Sequence, residues 1–334
     1  MAGRDIVAIG ASAGGVEALR FLVKGFRDRF PASVLITVHL PSHHRSSLDE
    51  VLAGAGPLPC TFAKDRERLE RGHIYVAPPG LHLLVDGKTL SLGNGPRENN
   101  ARPAIDPMLR SAAASCGGRT IGVVLTGMLG DGASGLWALA ESGGTTIVQD
   151  PGDAEFPEMP QSALNRLRPH HVVQLSRIPA LLDELVRQPA GKTRPAPDYT
   201  RLEVEVAGGG GIGMKDLDRN GKRSVLSCPD CGGAMWEHTE GELVRYRCHV
   251  GHAHEAGLMS LAIDETLRRA LASAMRVLDE RAALVARLRE QAIRNGRNSL
   301  AELWDARARE YQQEANVIRD RVTCLDRMLD QSRA

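Results

Sequence analysis

Between residues 6 and 186, short β-branched runs alternate with stretches of helical periodicity, and few folds other than a helix-covered parallel sheet accommodate that rhythm. Strands are expected at 6–9, 34–38, 74–77, 121–125 and 146–148. Residues 81–85 and 88–92, joined by Asp86-Gly87, read differently, as a hairpin closed by a tight turn and added to that sheet. The expected fold class is α/β: a mostly parallel sheet with helices on both faces, three-layer and Rossmann-like.

After Arg187 the text changes character. Gln188-Pro189-Ala190-Gly191, Pro195-Ala196-Pro197 and the glycine run 208–211 have linker composition, which places a domain boundary there. The expected division is an α/β domain over 1–187, a flexible linker over 188–223, a Cys- and His-bearing module over 224–256 and a helical arm over 257–334. In the arm, Leu267, Leu271, Ala274, Leu278, Val285 and Leu288 recur at helical spacing, interrupted by Arg281. Trp304, Ala308, Tyr311, Ala315, Ile318, Val322, Leu325 and Leu329 keep the rhythm beyond a break at Asn295-Gly296, and Ser299 with Glu302 makes a capping box. An antiparallel hairpin or coiled-coil arm is expected, suited to self-association, to partner binding or to packing on the rest of the chain.

Charge and composition exclude several functions. The 334-residue chain carries Lys+Arg 42 against Asp+Glu 41, a net charge of +1, so no whole-chain affinity for nucleic acid or an anionic membrane is expected. Aromatic residues make up 4%, too few for base-stacking platforms. No run reaches the ~18 apolar residues of a membrane span, and the start has no signal-like apolar region. Direct membrane insertion is therefore not expected, and the expected location is the cytoplasm.

The chemistry begins at Gly10-Ala11-Ser12-Ala13-Gly14-Gly15, a glycine-rich turn between the first strand and a helical stretch. A mononucleotide P-loop needs Gly-Lys-Ser/Thr at its end, and here Val16 and Glu17 follow Gly15. A dinucleotide turn wants glycine where Ser12 stands and an acidic side chain after the second strand, where this chain has His39. The remaining reading is a nucleophile elbow, Gly-x-Ser-x-Gly, with small neighbours that let a serine sit exposed on a tight turn. A serine that merely caps the helix is the competing structural role.

Position decides in favour of chemistry. His39 follows the strand at 34–38, and Asp131, in Thr126-Gly127-Met128-Leu129-Gly130-Asp131-Gly132, follows the strand at 121–125. All three residues emerge at the carboxyl edge of an open parallel sheet, where such folds build their sites. A serine hydroxyl needs a base within hydrogen-bond reach, and a carboxylate must orient that base and stabilise its cation. Ser12 is the expected nucleophile, His39 the base and then acid, and Asp131 the orienting carboxylate. Backbone amides at Ala13, Gly14 and Met128 are candidates for an oxyanion hole. His43, His44, His73, His82, His170 and His171 are expected in solvated or structural roles, and Asp150 is the strongest rival to Asp131.

Ile6-Val7-Ala8-Ile9-Gly10-Ala11-Ser12-Ala13-Gly14-Gly15, Val38-His39-Leu40-Pro41, Tyr75-Val76-Ala77-Pro78-Pro79-Gly80, Arg102-Pro103-Ala104-Ile105-Asp106-Pro107 and Leu125-Thr126-Gly127-Met128-Leu129-Gly130-Asp131-Gly132-Ala133 form an ordered series. Gly143-Gly144-Thr145-Thr146-Ile147-Val148-Gln149-Asp150 and Met159-Pro160-Gln161-Ser162-Ala163 continue it. Over about residues 4–186 this series resembles the catalytic domain of the chemotaxis protein-glutamate methylesterases, CheB. The resemblance implies hydrolysis of glutamate γ-methyl esters on chemoreceptor-type proteins, with release of methanol, and glutamine deamidation there. It implies no cofactor for catalysis, a methylated receptor as partner, and the catalytic roles already given to Ser12, His39 and Asp131. Two departures accompany it. The catalytic motif starts within a dozen residues of Met1, so control by an N-terminal receiver domain in cis is not expected, and Ala13 stands where the family often has threonine. A non-catalytic signalling scaffold and, more remotely, a nucleotide-binding protein are the alternatives.

Of six cysteines, Cys228, Cys231 and Cys248 cluster in the last third, and in a reducing compartment this points to metal. Cys228-Pro229-Asp230-Cys231 is a knuckle that offers two thiolates to a tetrahedral zinc ion, Cys248 supplies a third, and His252 is the expected fourth ligand, with His249 and His254 as alternatives. A zinc-ribbon-like module this short needs the metal to hold itself together. A redox Cys-x-x-Cys or an unmetallated turn are the competing readings. Cys60, Cys116 and Cys324 are expected to be ordinary buried thiols.

Overall fold

The computed structural model of the chain describes residues 3–39, 46–240 and 243–333; His43 and His44 lie outside them. Two compact units divide the chain, Met1–Leu258 and Met259–Ala334.

The first unit is built on β1 (Ile6–Ala11), β2 (Ser33–Val38), β3 (Cys60–Phe62), β4 (Ile74–Val76), the pair β5 (His82–Asp86) and β6 (Thr89–Gly93), β7 (Thr120–Val124), β8 (Thr145–Gln149) and β9 (His171–Val173). All of these except β5 and β6 form one seven-stranded sheet in the order β3-β4-β2-β1-β7-β8-β9, and every pairing in it is parallel. The five expected strands are its interior, and the short strands β3 and β9 close its two edges. The expected hairpin forms, but as a separate two-stranded sheet and not as an addition to the main one. Its neighbour is a helix: Val85 N–H donates to Ser111 Oγ at 2.9 Å, and Ser115 Oγ donates to Val85 O at 3.1 Å, so helix side chains satisfy its backbone in place of another strand.

Strand alternation sorts the core into two layers. Val7, Ile9, Val34 and Ile36 pack against α1 (Gly15–Lys24), α2 (Leu48–Ala53) and, further along the chain, the helix at Ile178–Leu185. Ile6, Ala8 and Leu35 face the opposite way, onto α3 (Ile105–Ser115), α4 (Ala133–Glu141) and α5 (Glu158–Arg166). The Ile178–Leu185 helix is α6. Helices thus cover both faces.

Residues 188–223 correct the linker expectation. They hold α7 (Asp198–Ala207) and α8 (Met214–Asn220), and Thr200, Glu203, Val206 and Ala207 make one buried face on α7. Proline and glycine flank the helix and gave the stretch its linker composition, while the buried stripe is too short to stand out in sequence. Gly191 N–H also donates to Gly118 O at 3.0 Å, which ties the start of this segment to the α/β core.

Beyond α8, β10 (Lys222–Ser227), β11 (Ala234–Glu240), β12 (Leu243–Cys248) and β13 (Ala253–Glu255) form an antiparallel sheet in that order. It is held to the rest of the unit by buried charge. Arg245 and Arg247 on β12, Arg110 on α3, Glu203 on α7 and Glu98 are each at most 2% exposed. Glu203 meets Arg110 at 2.9 Å, Arg245 at 2.7 Å and Arg247 at 2.5 Å; Glu98 meets Arg245 at 3.3 Å, Arg247 at 3.4 Å and also Arg110. The guanidiniums hold both carboxyls below their usual range against the opposing effect of burial, Glu203 at about 2.

The second unit consists of most of α9 (Ala256–Arg294) and all of α10 (Asn298–Arg333). The chain turns at Gly296, whose φ of 67° suits glycine. Arg289 pairs with Asp305 at 3.1 Å and Arg319 with Asp279 at 3.4 Å, so the helices run antiparallel. Arg281, which breaks the apolar rhythm, lies over the Tyr311 ring and donates to its hydroxyl at 2.7 Å. Two expectations change here. Because α10 opens at Asn298, Ser299 sits in its first turn instead of at the cap, and Cys324 is exposed, unlike the buried Cys60 and Cys116.

Candidate active site

The strands β2, β1 and β7 are neighbours, and their carboxyl ends deliver Ser12, His39 and the loop that carries Asp131 to one place. Ser12 Oγ lies 2.9 Å from His39 Nδ1, and His39 Nε2 lies 2.7 Å from Asp131 Oδ2. A carboxylate only accepts, so Nε2 carries the ring proton and Nδ1 is left to accept from the serine hydroxyl. The three side chains thus stand in one hydrogen-bonded series.

Backbone geometry presents the half-buried serine on a tight turn. Ser12 N–H donates to Thr126 O at 3.0 Å and Gly15 N–H returns to Ser12 O at 2.8 Å, which closes a tight turn between β1 and α1. Gly14 sits in that turn at φ 70°, a left-handed conformation that favours glycine. The amides of Ala13 and Gly14 in this turn and of Met128 in the loop after β7 donate to no protein acceptor among the described residues.

Asp131 is 1% exposed, and burial alone would raise its pKa. The hydrogen bond and charge of His39, with the amides of Ile105 at 2.6 Å and Asp106 at 3.2 Å, overcome that and hold it below the ordinary carboxylate range. Those amides open α3, so Asp131 caps that helix from outside. Asp106 repeats the device in reverse: its Oδ1 accepts from Gly132 N–H at 3.1 Å and Gly135 N–H at 2.7 Å, at the start of α4. Burial first, and then the Asp131 charge, push Asp106 up to about 7. Two neighbouring carboxyls are thus driven apart, with the ionised one placed on the histidine.

The rivals fall away. Asp150 Oδ1 accepts from Gly152 N–H at 2.9 Å in a plain turn. His73 pairs with Thr61, His82 with Pro96 O, and His170 with Thr146, all away from Ser12. Asn99, Asp106 and the α3 amides are the components that sequence reasoning missed. Asp106 stood within a quoted motif, but its pairing with the α4 amides carries no spacing signal.

In the ribbon, the Sγ atoms of Cys228, Cys231 and Cys248 and Nδ1 of His252 all lie within 4.8 Å of one another. Cys231 to Cys248 is 3.7 Å, Cys228 to His252 3.7 Å and Cys248 to His252 3.5 Å. Ligands about 2.0–2.3 Å from a tetrahedral zinc are separated by roughly 3.5–3.8 Å, so the donor set fits. His254 Nε2 turns instead to Asp230 at 2.9 Å, which with Cys228 makes an alternative grouping; His249 belongs to neither.

The CheB methylesterase family model matches residues 7–182. This chain belongs to the CheB methylesterase family. A protein-glutamate methylesterase/protein-glutamine glutaminase 4 from Geobacter metallireducens is 40% identical over 184 residues, 54% of this chain and 53% of the relative. A putative protein-glutamate methylesterase/protein-glutamine glutaminase from Leptospira interrogans is 34% identical over 182 residues, 54% of this chain and 94% of the relative. The chain therefore spans about half the length of the first relative and nearly all of the second. The Thermotoga maritima CheB methylesterase catalytic domain superposes with a TM-score of 0.53 at 34% identity, covering 56% of this chain and 100% of that one. Within this CheB member the matched span contains Ser12, His39 and Asp131, while the ribbon and α9–α10 lie outside it. Among the described residues no helix is long and apolar enough to cross a membrane.

Proposed function

We propose that the chain is a serine carboxylesterase that hydrolyses glutamate γ-methyl esters on chemoreceptor-type proteins and releases methanol, in chemotaxis-like signalling. The observation that carries this reading is the unbroken series Ser12 Oγ, His39 and Asp131 at 2.9 and 2.7 Å. Ser12 Oγ attacks the ester carbonyl carbon while its proton passes to His39 Nδ1. The ionised Asp131 steadies the imidazolium through Nε2, and the amides of Ala13, Gly14 and Met128 receive the oxyanion. Collapse breaks the bond to the methoxy group, which leaves as methanol with the proton from His39. Water, deprotonated by His39, then cleaves the acyl-serine to a free glutamate. Glutamine side chains present the same carbonyl with ammonia as leaving group, which supports deamidation at the same site.

Cys228, Cys231, Cys248 and His252 would hold a structural zinc that locks the ribbon and leaves no open position for chemistry. Leu284, Leu303 and Val317, from 52% to 62% exposed, support self-association of the arm. The cytoplasm suits free thiols in such a site. Methanol release from a methylated receptor fragment tests the function: Ser12→Ala abolishes it in a folded protein, and an unchanged rate would show the nucleophile to be another group.

A further inference from the structure

The ribbon reaches the catalytic carboxylate through one side chain. Asn99 is 4% exposed and lies between β13 and the Asp131–Asp106 pair. Its N–H donates to Ala253 O at 2.9 Å, and its Oδ1 accepts from Glu255 N–H at 3.3 Å. Its Nδ2 donates to Asp131 Oδ1 at 3.2 Å and to Asp106 Oδ2 at 3.3 Å. A backbone N–H can only donate, so the Glu255 amide must face the Asn99 oxygen, and the NH2 end has no orientation left except toward the two carboxyls. The backbone of Asn99, at φ 50°, occupies the left-handed region that asparagine tolerates.

We propose that Asn99 is a positioning residue of the esterase, aimed by ribbon strand β13 so that its amide holds Asp131 in place for His39. The proposal rests on the esterase reading. It makes the ribbon part of the frame of the active site: the Ile105 and Asp106 amides also hold Asp131, but without the Asn99 amide Oδ1 loses one of its two donors and the carboxyls of Asp131 and Asp106 face each other across a buried gap, which loosens the contact of Asp131 with Nε2. The other charged or titratable groups that act on this pair are His39 and His82 on Asp131 and Arg110 and Arg245 on Asp106.

Two variants of the full chain test it. Asn99→Gly removes the amide and keeps a residue that accepts positive φ; kcat for methanol release falls about 10–100-fold with KM within twofold. Asn99→Asp keeps the shape and the acceptor for Glu255, but donates only while protonated. Its kcat, relative to the parent, falls as pH rises. In both, the downfield proton resonance of His39 Nε2–H shifts or broadens, which reports on the His39–Asp131 bond with no substrate present. Unchanged kcat and an unchanged resonance in either folded variant overturn the proposal. Should the parent protein release no methanol, the esterase reading falls while the resonance still decides whether Asn99 positions Asp131.

Discussion

Replacing Glu203 by glutamine removes one of two carboxylates that serve three buried guanidiniums. At an effective dielectric of about 20, a contact near 4 Å is worth about 4 kcal/mol, so the three partners of Glu203 represent on the order of 12 kcal/mol of gross attraction. The neutral amide avoids several kcal/mol of desolvation and keeps part of the hydrogen bonding. What is left is the usual cost of breaking a buried pair, about 3–5 kcal/mol. Because Glu203 lies on α7, Arg110 on α3, and Arg245 and Arg247 on β12, the loss falls on the joint between the α/β core, the segment after it and the ribbon. Urea unfolding followed by circular dichroism reads this directly, with a midpoint lower by about 1 M or more at an m-value of about 3 kcal/mol/M. Glu205→Gln, one residue pair away on the exposed side of the same helix, serves as the control and stays within about 0.5 kcal/mol. A Glu203→Gln cost under about 1 kcal/mol would refute the view that this cluster holds the ribbon in place.

Other expectations concern the site and the charges. Asp131→Asn leaves only one oxygen where the Ile105 and Asp106 amides donate to two, so one of them or His39 Nε2 meets an NH2 donor; kcat for methanol release drops by about 10⁴ and the melting temperature falls as well. Glu98 and Glu203 have folded pKa values below their unfolded ones, so the stability they contribute is complete above about pH 4.5 and is lost as pH falls toward 2; an acid titration of the urea midpoint shows that decline, and Glu203→Gln flattens it. Purified protein carries about one zinc per chain by elemental analysis, and a chelator lowers both the melting temperature and kcat, the latter through Asn99. Gly14→Ala costs about 1 kcal/mol or more and most of the esterase activity, since it strains the turn under Ser12, as calorimetry and methanol assays show together.

The parallel sheet and the Ser12, His39, Asp131 series were legible because both depend on local text. Apolar β-branched runs announce buried strands, and the carboxyl-edge rule then converges three loops without any knowledge of contacts. The short strands β3 and β9 carry too few residues for a periodic signal, and α7 hides behind flanking prolines and glycines. The buried cluster was illegible for a different reason. Arg245 and Arg247 look like solvated charges on an alternating strand, and their partner Glu98 stands 147 and 149 residues away. Asn99 lies in a polar stretch with no pattern, and its task is set by Glu255, 156 residues downstream.

The buried charge cluster also decides where this protein can be divided. A fragment ending near residue 187, the boundary that composition suggests, would keep Glu98 and Arg110 but strip away the three side chains that cover them. Water would enter beside α3, next to the helix start that Asp131 caps, and β13 would be missing behind Asn99. Such a fragment would retain Ser12, His39 and Asp131 and yet lack the frame around them. The smallest piece with an intact interior ends after β13, so the natural unit of expression, crystallisation or domain exchange is the whole of Met1–Leu258.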